Sequence, residues 1–258
     1  MNLLFRSKKL IIKAYTFKPS AYEYFTVAKA HHFYPDWWKK LPVFYEEMRG
    51  ALNVKAPTMK TCAGIIDIYK KGIILPLWSD LQIRVAEHNQ WVAGFSDQDT
   101  HQPTSHPRHQ IGENNAEFNN CIHVKIDVPW LFVDVNKTGI PFLQQGCFWN
   151  NIATQSAFQV CPGVLNYRFQ HSVNLNALLT SDTPREFVIP ANTPIMQMIP
   201  LSERELELQV ELISFQDWNK INDKHATTCF YNKYERLKKI TMQKESQSKC
   251  PFSKLFAK

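Results

Sequence analysis

From Leu81 onward one pattern recurs: short runs with apolar residues at every second position, closed off by proline, glycine, asparagine or aspartate. Leu81, Ile83 and Val85 form one such run. Ile122, Val124, Ile126 and Val128 form another, and Leu206, Leu208, Val210 and Leu212 alternate with charges in a third. A period of two sends alternate side chains to opposite faces of an extended chain, so each run reads as a half-buried strand. Further strands are expected at 91–95, 130–135, 158–161, 164–169, 172–178, 186–189 and 195–199, with a continuous apolar run at 73–78. Turn residues at 136–139, 182–184 and 190–194 separate them. Short strands with close-set turns argue against a parallel α/β sheet, whose neighbours need helical crossovers. They predict a mainly β (α+β) fold, an antiparallel β-sandwich or barrel of jelly-roll or cupin-like form.

The flanks read as helical. Tyr22, Phe25, Ala28 and Ala30 predict a short helix, and Pro35 to Pro42 a helical turn fenced by two prolines. Thr58 to Lys71 predicts another helix, with Thr58 as N-cap and Gly72 as its stop. After residue 214, Phe230, Tyr234 and Leu237 at i, i+4 and i+7 predict an amphipathic helix. The expected organisation is a helical N-terminal segment (1–54) packed on a β-sandwich domain (55–214), then a C-terminal helical segment (215–246) and a basic tail (247–258). The 258 residues suffice to bury a core without disulfides or metal staples.

Charge is unevenly placed. Residues 233–258 hold eight lysines and arginines against Glu235 and Glu245, a net of +6, so of the total of +7 only +1 remains for residues 1–232. A basic face that tracks phosphates is therefore not expected on the body, whereas the tail can reach an acidic protein, nucleic acid or membrane. The six cysteines include no CxxC pair, which argues against a zinc ribbon and for free thiols in a reducing cytoplasm. Gly72 to Trp78, the longest strongly apolar stretch, is too short for a bilayer core of ~30 Å, so no transmembrane segment is expected. No secretory leader is expected either: Arg6, Lys8 and Lys9 follow the apolar block 2–5 rather than precede it.

Three groups of residues are candidates for chemistry or binding. His101, His106 and His109 sit within nine residues of a polar loop and could ligate Fe or Zn, with Glu113 the nearest carboxylate; Pro103 and Pro107 break any helical spacing, and ordinary loop histidines are the competing reading. His123, Lys125 and Asp127 alternate along one face of an expected strand, either as a polar pocket wall or as a solvated sheet face. The adjacent indoles of Trp37 and Trp38 cannot both enter one interior from a single helical turn, so one of them belongs at a protein interface or in a second sub-core. No GxSxG, P-loop, GxGxxG or HExxH motif occurs, and no catalytic residue is assigned.

The order of Gly72, Leu75-Pro76-Leu77-Trp78-Ser79-Asp80-Leu81, then Pro129-Trp130-Leu131-Phe132 with Gly139, Gly163-Val164-Leu165 and Ile189-Pro190-Ala191-Asn192-Thr193-Pro194 resembles an uncharacterised β-rich family of bacteria and tailed phages. The likeness covers about residues 55–214 and implies a fold, not an activity; the lysine- and asparagine-rich style is similar to that of proteins from AT-rich phage genomes. Where that family carries acidic and aromatic residues after Gly163-Val164, this chain has Leu165-Asn166-Tyr167-Arg168. The same stretch is similar to deoxyuridine triphosphatases, which implies a nucleotide-binding role for Tyr167 and Arg168. Those enzymes orient a water with an aspartate where Asn166 stands, and an amide cannot serve as a general base.

The function expected from these readings is that of a phage-encoded, non-catalytic binding or structural protein in the host cytoplasm or the virion. It would need no cofactor and would contact a host or virion protein through Trp37, Trp38 and the tail. The rival is a cupin-like enzyme holding Fe or Zn on the three loop histidines.

Overall fold

A computed structural model describes residues 9–49, 52–86, 90–97, 100–110, 116–151, 157–223 and 231–248. The strands are β1 (Leu10–Thr16), β2 (Ala28–Lys29), β3 (Phe44–Arg49), β4 (Leu52–Pro57), β5 (Ile73–Pro76), β6 (Leu81–Val85), β7 (Trp91–Phe95), β8 (Thr104–Ser105), β9 (Cys121–Asp134), β10 (Phe142–Gly146), β11 (Phe158–Val160), β12 (Gly163–Leu165), β13 (Ser172–Thr180), β14 (Arg185–Ile189), β15 (Pro194–Pro200) and β16 (Leu206–Leu212). The helices are α1 (Pro19–Glu23), α2 (Asp36–Lys40), α3 (Ala63–Lys71), α4 (Phe215–Asp223) and α5 (Tyr231–Ser248).

The fold is β-rich, as the alternating runs require, and built from open sheets; the barrel alternative does not apply. The largest sheet runs β11-β13-β9-β1-β16, with β8 beside β9. A second has the order β12-β10-β15-β5-β2, a third β14-β6-β7, and β3 and β4 form a separate two-stranded ribbon. All pairings are antiparallel except β1 with β16, which run parallel with Leu10 opposite Leu206.

Alternation fills one main core. Leu10, Ile12 and Ala14 of β1, Ile122, Val124 and Ile126 of β9, and Val173, Leu175 and Ala177 of β13 are all buried there. Ile73 and Leu75 of β5, Phe142 of β10, Met198 of β15 and Leu81 and Ile83 of β6 join the same cluster. Burying each such aliphatic side chain contributes about 1.5–3 kcal/mol.

Several expectations give way here. The described residues of 1–54 are not a helical segment: Leu10–Thr16 form an inner strand of the largest sheet, because Leu10, Ile12, Ala14 and Thr16 alternate buried while their neighbours stay partly exposed. Residues 121–128 and 130–135 are not two strands. A single strand runs through Pro129, where the register against β13 shifts between Ser172 and Asn174, so the missing proline N–H falls at an irregularity in the ladder. Thr58 caps a 3-10 turn by accepting the Lys60 N–H, and α3 begins only at Ala63. The strand expected at 164–169 stops at Leu165, where Asn166 starts a turn that its carbonyl closes by accepting the N–H groups of Phe169 and Gln170. The expected turn at 136–139 is present: buried Asp134 accepts Thr138 Oγ1 and the Gly139 N–H through Oδ2, and Gly139 takes φ +71°. Of the expected C-terminal pattern, Phe230 and most of the basic tail lie outside the described residues, as does Glu113. Tyr234 on α5 meets Phe169 edge-on.

Candidate functional site

The inner residues of β9 and β13 face the core, so their intervening residues form an outer polar face. On it Lys125 lies opposite Asn176, Asp127 opposite Asn174, and His123 opposite Leu178. Strand β8 extends the face by pairing Thr104 with Lys125. The chain after β8 turns back over it: the His106 N–H donates to the His123 carbonyl, and the two imidazoles stack with centroids 4.3 Å apart. His106 Nε2 lies 3.2 Å from Asn176 Oδ1 and Nδ1 lies 2.7 Å from Gln110 Oε1. Burial, and then the charge of His106, hold the His123 pKa below its ordinary value.

The three loop histidines diverge. His106 faces His123 and Asn176. The Nδ1 of His101 is 3.7 Å from Asp127 Oδ2, and His109 is exposed. Among the described residues no three His, Cys, Asp or Glu side chains come together in a way that could hold a metal ion.

Lys125 and Asp127, 3.4 Å apart, border a cleft of about 440 Å³. Its far wall is aromatic: Phe17, just past β1, meets Phe215 and Trp218 of α4 edge-on, each at 5.0 Å. Ser214 holds α4 in place by accepting the Asp217 N–H and donating to its carboxylate. Beyond Lys18 a second hollow of about 670 Å³ opens, and Phe17, Lys18 and Trp78 line both. Lys18 stands between the two, its ammonium 3.0 Å from Thr100 Oγ1 and 3.6 Å from Asp97 Oδ2, while the Thr100 hydroxyl donates to that same carboxylate oxygen. Neither the aromatic wall nor Lys18 is legible in the sequence, since Phe17 and Lys18 follow β1 while Phe215 and Trp218 come from α4, nearly two hundred residues away.

Tyr167 and Arg168 lie elsewhere. Tyr167 is fully buried, its ring between Phe132 and Phe142, its hydroxyl accepting from Gln144 and donating to Met198 Sδ. Burial raises its pKa. Asn166 donates to the Gly139 carbonyl and accepts the Arg168 N–H, which joins two turns. The guanidinium of Arg168 sits over the ring of Phe169.

Trp37 and Trp38 separate as two adjacent indoles must. Trp38 stacks on Tyr34 at 4.2 Å in a second cluster containing Ile65, Tyr69, Ile74 and Cys147. Trp37 reaches Trp149, which packs against the same cluster, and donates its indole N–H to the Trp149 carbonyl. The ribbon leaves the body just beyond this cluster. Its base is pinned where the Thr58 N–H donates to Val43 and its hydroxyl to Pro42, and its substantial contacts are between its own two strands.

Comparison with protein families, curated proteins and solved structures gives no match. No helix among the described residues is long and apolar enough to cross a membrane.

Proposed function

We propose that the protein is a non-catalytic binding or structural protein that works through protein–protein contacts, with the β3–β4 ribbon as the element that makes them. One observation carries this reading. Val43, Phe44, Tyr45, Met48, Leu52, Val54 and Met59 are all exposed on the ribbon and its flanks, a concentration found nowhere else among the described residues. A lone two-stranded hairpin is marginal in water, and apolar side chains on both its faces are a surface awaiting cover.

The partner that fits is a second copy. Glu46 and Glu47 balance Arg49 and Lys55, so the ribbon carries no net charge with which to select an acidic or basic protein. Glu46 and Lys55 are cross-strand partners on one face. A second ribbon laid on that face about a twofold axis along the strands sets glutamate over lysine at both ends of the pair. Sedimentation equilibrium tests this: the intact protein should form dimers, and Met48→Lys combined with Phe44→Lys, both on the face of Glu46 and Lys55, should give folded monomers. A wild-type protein that stays monomeric at high micromolar concentration refutes it.

A further inference from the structure

The cleft and the hollow share Phe17, Lys18 and Trp78 in their linings, and no lining residue of either belongs to the ribbon. We infer that the cleft of about 440 Å³ binds a short neutral saccharide, its sugar rings lying on the Phe17–Phe215–Trp218 wall and its hydroxyls bonding to Asp127, Asn174 and Lys125.

Four observations support the assignment. The cleft, at about 440 Å³, has the volume of a small-ligand site. The aromatic wall is presented rather than packed away: Phe215 is 57% exposed although it sits against Phe17. Flat aromatic faces of this kind give contact area at low entropic cost, which suits the C–H faces of pyranose rings. In the same cleft, Asp127 and Asn174 are cross-strand partners with Lys125 one position further along the same face, so acceptor, amide and donor follow one another at strand spacing. A row of vicinal hydroxyls, each both donor and acceptor, needs such alternation.

The charge decides against the obvious competitor. Both ammonium groups at the cleft already face carboxylates, Lys125 at 3.4 Å from Asp127 and Lys18 at 3.6 Å from Asp97, so neither is an uncompensated charge for a polyphosphate. Buried polar atoms of the lining residues point the same way. Trp78 Nε1, Trp218 Nε1 and Asn222 Oδ1 have no hydrogen-bond partner, and buried polar groups ordinarily find one. A polyhydroxylated ligand supplies donors and acceptors to a site that small side-chain shifts would open.

The experiment is a neutral-glycan array probed with the full chain, followed by calorimetric titration of the best-bound oligosaccharide and, in parallel, of dUMP and inorganic pyrophosphate. At least one neutral oligosaccharide should bind. Asp127→Ala and Asn174→Ala should each weaken it about tenfold, the effect of one lost hydrogen bond, with Tm unchanged because Asp127 is half-exposed. A blank array, binding unmoved by both substitutions, or tighter binding of dUMP or pyrophosphate than of any saccharide would each overturn the assignment. The oligomeric state does not enter, so this result and the ribbon's stand or fall separately.

Discussion

His123 stacks on His106 with ring centroids 4.3 Å apart, and its imidazole is held neutral by burial first and by the neighbouring ring second. Its folded pKa lies below the ordinary 6.5, so in the interval beneath that value the unfolded chain binds a proton that the fold refuses. Stability should therefore fall as pH drops through that interval and level off above it. His31, lowered by desolvation and by the charges of His32 and Lys29, adds to the same slope. Urea midpoints measured on either side of pH 6.5 should differ for the wild type, and by less for His123→Gln. An equal slope in both proteins would show that the stacked pair has no such effect.

Asn166→Asp, which restores the acid of the triphosphatase pattern, should cost stability and produce no dUTP hydrolysis. The amide donates to the Gly139 carbonyl; a carboxylate there sets oxygen against oxygen in a buried turn, at about 2 kcal/mol or more. Asn166→Ala should cost less, because it removes the bond without adding repulsion. Thermal unfolding of the two variants gives the order directly.

Cys147 and Cys62 should separate cleanly in thiol labelling. Burial pushes the Cys147 thiol pKa up and closes off access, whereas Cys62 is exposed at the start of α3. Peptide mass spectrometry after a brief iodoacetamide pulse should find Cys62 modified and Cys147 protected until denaturant is added.

Ile12→Ala should lower stability by about 2–5 kcal/mol. Ile12 is fully buried in an inner strand flanked by β9 and β16, so little of the cavity can collapse. The equivalent change at exposed Val92 on β7 should be nearly silent by chemical denaturation.

Strands with one wet face were readable because their periodicity is set by burial itself. Leu81–Val85 alternates buried and exposed along its whole length, and Ile122, Val124, Ile126 and Val128 all face inward as expected. The same pattern in Leu10–Thr16 abuts Arg6, Lys8 and Lys9 and runs into the helical signals that follow, which obscure its period. The ribbon carries no readable period at all: a hairpin wet on both faces has no inside to record. Gly72 stops α3 as expected, with φ −89°. What its position requires is space, since a Cβ there would stand 3.1 Å from both Gln197 Nε2 and the Ile68 carbonyl. In the candidate site, alternation on β9 put Lys125 and Asp127 on one face, which the fold preserves. The loop histidines carried no such periodic constraint, and nothing in their spacing could foretell that His106 would settle against His123 and His101 beside Asp127.

The parallel pairing of β1 with β16 gives the molecule a long-range clasp. During synthesis Leu10–Thr16 can pair with β9 once residue 134 has emerged, but its other edge stays open until residues 206–212 arrive. Chains cut short before Leu206 would present that bare backbone edge to one another. For this protein the last strand acts as a seal, and premature termination is a route to aggregation rather than to a smaller working domain.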